Sequence, residues 1–159
     1  MEFDKLVKKI NTVRNPNRVI PNTVLALDPG ETTGVAVMTN LELTYTAQLA
    51  TPTLIEGIKQ IKKTMNAQQA DIMVCENYRV YGWLVQQHSW AELHTPKLIG
   101  AIACLAYLSN TPIHYQMASE GKGWVTDTKL KEWNMYNAGQ KHARDAIRHA
   151  CYYLLFGKD

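Results

Sequence analysis

No stretch of this 159-residue sequence approaches the roughly 18 uninterrupted apolar residues that a membrane-spanning helix requires. The opening Met1-Glu2-Phe3-Asp4-Lys5 lacks the apolar run of a signal peptide, so a cytoplasmic protein without a membrane partner is expected. Cysteine is scarce. Cys75, Cys104 and Cys151 stand singly in apolar stretches, without the close pairing that zinc sites and disulfide frameworks need, and are expected as buried, reduced core residues. A strong excess of one charge is also missing. With 17 lysines and arginines against 14 acids, the formal charge of +3 permits an acidic polymer as partner without demanding one. Repeats and low-complexity segments are absent, and the length suits one core rather than two ordinary domains.

What is present is a patterned alternation of elements. Phe3, Leu6, Val7, Ile10 and Val13 recur at helical spacing among lysines, which predicts an N-terminal amphipathic helix and, with the Pro-containing stretch to Asn22, a segment 1–22 preceding a domain over 23–159. Thr23 to Leu27 is an apolar, β-rich run delivering Asp28 into the turn Asp28-Pro29-Gly30. Gly34 to Met38 and Leu41 to Ala47 complete an antiparallel meander about a Thr39-Asn40 turn. Thr51-Pro52 reads as a cap and first helical residue, with Leu54, Ile55, Ile58, Ile61 and Met65 as the apolar stripe. Asp71 to Cys75 has the near-continuous apolar character of a buried parallel strand, and it ends in Glu76. A helix from Ser89 to Asn110, bent or begun afresh near Pro96, a strand at Ile113-His114-Tyr115, a basic loop at Gly121-Lys122-Gly123, a helix capped by Thr126 and a last helix from Gln140 to Phe156 follow. This order predicts an α/β fold with a mixed sheet flanked by helices.

Three acids stand out. Asp28 at a strand end has an ordinary role in a turn, but Glu76 after four apolar strand residues buries a charge unless a cation pairs with it. In the last helix His142, Asp145 and His149 share one face while Ala143, Ile147, Ala150, Cys151 and Leu154 line another. Carboxylates from separate segments, joined by His142, suit hard cations such as magnesium or manganese. Two such ions about 4 Å apart can activate a water and stabilise the leaving oxygen of a phosphodiester.

The runs Val24-Leu25-Ala26-Leu27-Asp28-Pro29-Gly30 with Gly34-Val35-Ala36, Val74-Cys75-Glu76-Asn77-Tyr78 and His142-Ala143-Arg144-Asp145-Ala146 together resemble the RuvC family of Holliday junction resolvases, especially its phage-type members, over about residues 23 to 156. The resemblance implies a ribonuclease H-like fold with a five-stranded mixed sheet, and a homodimer that cuts four-way DNA junctions by paired nicks leaving 5′-phosphates. It assigns Asp28, Glu76 and Asp145 as metal-binding acids with His142 three residues before the last, two Mg2+ ions with Mn2+ as a substitute, and Lys122 as the lysine that polarises the scissile phosphate.

Where better-known cellular members carry a phenylalanine after the glutamate, this chain has Tyr78, Tyr81 and Trp83, any of which can stack on junction bases. Tyr78, Arg79, Tyr81, Lys122, Lys129, Lys141 and Arg144 form the expected DNA-binding set, the last four belonging to a basic cluster in the C-terminal third that also includes Lys131 and Arg148. The small-residue face of Gly100, Ala101, Ala103 and Ala106 is expected at a homodimer interface by analogy with the family. Two other readings remain: an RNA-processing or other structure-specific nuclease of the same fold, disfavoured by the lack of an Asp-Glu-Arg motif, and a non-catalytic junction-binding protein. An actin-like ATPase needs a second phosphate loop and a longer chain.

Overall fold

The computed structural model describes residues 1–79 and 93–158. Its elements run α1 (Phe3–Arg14), β1 (Thr23–Asp28), β2 (Thr32–Thr39), β3 (Glu42–Ala50), α2 (Leu54–Gln68), β4 (Ile72–Glu76), α3 (His94–Leu108), β5 (Ile113–Gln116), α4 (Ala118–Trp124), α5 (Asp127–Glu132) and α6 (Lys141–Phe156). The expected architecture is present: one five-stranded sheet in the order β3-β2-β1-β4-β5, with β1, β2 and β3 antiparallel and β1, β4 and β5 parallel. No helix among the described residues is long and apolar enough to cross a membrane.

Alternation along the strands divides the core in two. Val24, Ala26, Ala36, Met38 and Val74 face α1 and α6, where Ile147, Ala150 and Leu154 meet them. Leu25, Leu27, Val35, Val37, Met73 and Cys75 face α2 and α3, packing on Ile61, Leu98 and Ile102. By the same period of two, Asp28 and Glu76 turn toward the α6 side. Sequence periodicity therefore fixes the side of the sheet on which the acids emerge.

Several local expectations shift. The cap of α2 is Thr53, whose hydroxyl accepts from the Glu56 N–H at 3.2 Å while donating to the Glu56 carboxylate at 3.0 Å. Thr51 is instead buried, donating to the Gly30 carbonyl at 2.6 Å, and it pins the turn that follows Asp28. Leu41 lies in the β2–β3 turn with Asn40, both at positive φ as a two-residue hairpin needs, so β3 starts at Glu42. The described helix α3 starts at His94, in keeping with a start near Pro96, which falls in the first turn where a missing N–H leaves no bond unmade. Residues 89–92 lie outside the described residues. Cys104 is exposed, unlike Cys75 and Cys151, because it sits on the solvent side of α3.

The N-terminal helix is part of the core. Phe3, against the Trp133 ring, and Val7 are buried in the core cluster that α6 also joins, whereas Val13, assigned to the same stripe, is 77% exposed and Asn11 takes the buried position. Asn11 donates to the Leu154 carbonyl at 3.0 Å, and Arg18 donates to the carbonyls of Tyr153 and Leu154 at 2.9 and 3.1 Å. These are carbonyls in the last turn of α6, at the negative end of its dipole, and although Tyr153 also accepts from the Gly157 N–H at 2.7 Å, their remaining lone pairs suit a buried guanidinium.

Candidate active site

The site grows from sheet register. In the parallel β1–β4 pair Leu27 lies beside Cys75, so the next residues, Asp28 and Glu76, come out side by side. Across the other neighbours Asp28 is opposite Gly34 and Glu76 is beside Gln116. Gly34, Asp28, Glu76 and Gln116 thus form one row across four strands on the face that α6 covers. From His142 to His149 the helix advances about 10 Å, close to the two strand spacings of about 4.8 Å each that separate β1 from β5. One helix therefore serves the whole row.

Each end of that crossing is fixed by a close fit. At Gly34 a Cβ would lie 1.9 Å from the His142 carbonyl oxygen, so only glycine lets α6 settle this near the sheet. The Gln48 side chain of β3 accepts from the His142 backbone N–H at 3.0 Å, satisfying one of the free donors at the helix start. His142 then donates from Nδ1 to Asp28 Oδ2 at 3.1 Å. At the far end His149, fully buried, stands 2.8 Å from Glu76 Oε2 and 2.8 Å from Gln116 Oε1.

Lys122 enters from α4. The sequence predicts a loop at Gly121-Lys122-Gly123, but the segment is a short helix whose first turn is closed by Glu120, which accepts from the Met117 N–H at 2.7 Å. The Lys122 ammonium lies 3.2 Å from Glu76 Oε2 and 3.2 Å from Asp145 Oδ2. Asp145, only 2% exposed, also pairs with Arg148, which in turn pairs with Asp127. Two of the acids thus pair with one ammonium, and Asp28, bonded to His142, is near enough to feel its charge.

Their electrostatics differ. Burial, then the charge of Glu76, raises the Asp28 pKa to about 6, against the hydrogen bond from His142 and the charge of Lys122. Burial also opposes ionisation of Glu76, yet His149 and Lys122 outweigh it and hold that carboxyl below its ordinary value. Burial opposes the charge on Lys122, but Glu76, Asp28 and Asp145 raise its pKa, so it stays an ammonium at neutral pH.

The Asp28 shift has a sign that can be tested. A carboxyl whose folded pKa exceeds its unfolded value favours folding below pH 4, and that contribution is lost as pH rises through 6. At pH 7.5 without divalent ions, Asp28→Asn is therefore expected to stabilise the protein, by at most about 3 kcal/mol. The gain should fade toward pH 4 in urea titrations with chelator present. A variant less stable than wild type at pH 7.5 would show that the Asp28 charge is already compensated.

Among the described residues no three histidine, cysteine or acid side chains are drawn together tightly enough to grip one ion as they stand. The donor chemistry nonetheless fits hard divalent cations. Asp28, Glu76 and Asp145 are oxygen donors, and burial first, then the charges of Glu76 and Asp145, oppose ionisation of Asp28, a cost that a bound cation would relieve.

The expected DNA contacts scatter. Lys122 and the exposed Lys141 border the site, and Tyr78 and Arg79 line a groove of about 160 Å³ with Glu76, Met117 and Ser119. Lys129 is turned inward, donating to the Trp124 carbonyl at 2.6 Å and lying 3.3 Å above its ring. Arg144 donates to the Asn137 carbonyl at 3.0 Å and stacks on Tyr136, and Lys131 also lies over Tyr136. Tyr81 and Trp83 lie outside the described residues. Sequence reading placed His149 on the polar helix face but gave it no task, and it gave Gln116 none, because neither has a signal until β4, β5 and α6 are packed together.

No protein-family model matches the chain, and no curated protein matches it. Solved structures do. Thermus thermophilus RuvC, in complex with Holliday junction substrate, superposes with a TM-score of 0.65 at 14% identity, covering 84% of this chain and 93% of that one. The chain has the RuvC-type, ribonuclease H-like fold. A second Thermus thermophilus RuvC structure gives a TM-score of 0.65 at 13% identity, with 84% and 94% of the two chains covered. The yeast mitochondrial Holliday junction resolvase Ydc2 gives 0.59 at 12%, covering 97% of this chain and 85% of that one. The RuvC-type fold therefore extends through nearly all of the sequence, at identities that leave function to be argued from the site.

Proposed function

We propose that this chain is a metal-dependent endodeoxyribonuclease that resolves four-way DNA junctions by paired phosphodiester hydrolysis, leaving 5′-phosphates. The observation that carries this reading is the convergence of Asp28, Glu76 and Asp145, from β1, β4 and α6, around Lys122. The RuvC-type fold, seen elsewhere in complex with a Holliday junction substrate, supports junction DNA as the substrate.

Asp28, Glu76, Asp145 and His142 would hold divalent ions, magnesium with manganese as a substitute. When bound, such ions supply a water of lowered pKa and neutralise charge on the phosphodiester. The protein's own groups do the rest. His142 holds Asp28 in one rotamer, and Lys122, charged at neutral pH, exchanges its carboxylate partners for an oxygen of the scissile phosphate. Arg148 fixes Asp145 from the side away from Lys122, using the other carboxylate oxygen. Tyr78, Arg79, Tyr81, Lys129, Lys141 and Arg144 remain the proposed DNA-contacting set, with Lys129 and Arg144 available only after giving up their present contacts. Residues 23–159 are the proposed nuclease domain, with 1–22 as the helix and linker that brace it.

A two-fold substrate favours a two-fold enzyme, so a homodimer is proposed. On α3 the small-residue face is divided, with Gly100 exposed and Ala106 buried in this chain's own core, so any contact there falls on the outer part of the face. The deciding assay uses a synthetic four-way junction, flap DNA, duplex DNA and duplex RNA with Mg2+, Mn2+ or chelator. Symmetric nicks in the junction alone, dependent on the cation, are expected. Preferential RNA cutting would replace this reading with an RNA-processing one, and tight junction binding with no product under any cation would leave a binding protein.

A further inference from the structure

Behind Glu76 lies a second layer of side chains. His149 is fully buried, and its two ring nitrogens sit 2.8 Å from Glu76 Oε2 and 2.8 Å from Gln116 Oε1. Gln116 is 1% exposed and stands beside Glu76 in the β4–β5 register. The ring has no room to turn aside, since a Cβ at Gly121 of α4 would lie 2.9 Å from His149 Nδ1. The Gln116 amide nitrogen is buried without a hydrogen-bond partner. That unmet donor indicates that the amide serves the ring, because turning it over, with no change in shape, lets its NH2 donate to Nδ1. The ring then carries its proton on Nε2 and donates to Glu76.

We propose that Gln116 and His149 form a rigid brace that holds the Glu76 carboxylate in the orientation needed to bind a divalent ion, making both of them positioning residues. The proposal rests on Glu76 being an ion ligand, as argued above. A glutamate has three torsions to freeze when it ligates an ion, and a bond already made to one oxygen removes that loss before the ion arrives. Oε1 and the remaining lone pairs of Oε2 stay available, with Lys122 as their present neighbour. Partners behind ligands commonly affect ion affinity by 10- to 100-fold. Any buried imidazole needs partners for its nitrogens, so what marks this one is that one of its two partners is the Glu76 carboxylate, on which the Mn2+ test below bears.

The test is Mn2+ binding to the full chain without DNA, read from the free-ion EPR signal, alongside thermal unfolding without ions. His149→Phe keeps the ring volume and removes both bonds, and about a tenfold or greater loss of Mn2+ affinity is expected. Gln116→Leu leaves the ring in place and should weaken binding several-fold, which keeps the test usable if His149→Phe folds poorly. His149→Gln retains a donor for Glu76 and should recover most of the loss. In a Glu76→Gln background His149→Phe should change Mn2+ affinity no further, because its effect passes through that carboxylate. An equal loss in both backgrounds would reduce His149 to packing and overturn the brace. Wild-type affinity in His149→Phe, with weakened affinity in Glu76→Gln, would remove the brace and spare the ion site, whereas unchanged affinity in Glu76→Gln would remove the ion site and the brace with it.

Discussion

Glu76→Gln should lower the rate of junction cleavage by about a thousandfold at saturating Mg2+ while leaving junction binding within a few-fold of wild type. The amide preserves the shape of the side chain and an oxygen that still accepts from His149, so the fold has no reason to change. What it removes is one negative charge from the set that would hold divalent ions, and ion-borne stabilisation of the transition state is worth several kcal/mol. At 1.36 kcal/mol per factor of ten, about 4 kcal/mol gives the stated loss. Single-turnover cleavage of a labelled four-way junction measures it, with gel-shift titration as the binding control. Asp28→Asn should behave alike in cleavage although it stabilises the ion-free protein, so the two acids separate activity from stability in the same experiment. Normal cutting by both variants would mean that the nuclease site lies elsewhere.

Gly34→Ala should unfold the protein at a temperature about 10 °C lower and reduce cleavage with it. The added Cβ would sit 1.9 Å from the His142 carbonyl oxygen, 2.2 Å from its carbon and 2.9 Å from the Ala143 nitrogen. All three are backbone atoms, so relief requires α6 to move off β2 rather than a side chain to swing away. Overpacking of this kind costs about 3 kcal/mol, near the upper end for a single added methyl group. In a chain of this size each kcal/mol is worth about 2–4 °C. Because α6 carries His142, Asp145 and His149, its displacement also loosens the row of acids. Gly123→Ala is the matched control: its Cβ meets nothing within 4 Å in α4, away from the proposed dimer face, so helix propensity alone predicts a small gain in stability. Calorimetry on the pair decides, and equal melting points would show that α6 has slack against the sheet.

Much of this site could be read before folding was considered. A strand delivers Asp28 into a Pro-Gly turn, another delivers Glu76, and spacing of three places His142 and Asp145 on one helical face. These are short-range patterns with fixed periods, so the residue string carries them whole. The local misreadings share the opposite character. Thr51 looks like a helix cap until its hydroxyl is claimed by Gly30, more than twenty positions earlier in the chain. Gly121-Lys122-Gly123 looks like a loop because glycine disfavours helices, yet its first glycine is required by a histidine on another element. Lys129 and Arg144 are a different case: both lie over aromatic rings of their own chain and must leave them to reach a phosphate, a direction that charge in a sequence does not give.

The amino-acid order alone determined the class of fold, the strand ends on which two acids emerge and the helix face that carries the third, because alternation and helical period act over a few residues. Which cation stands between Glu76 and Asp145, and which buried pair stands behind Glu76, was decided only when β4, β5, α4 and α6 packed together. Those partners lie tens of residues apart, and their meeting depends on sheet register and on how closely a helix may approach a glycine. These are properties of the assembled core and of no single segment.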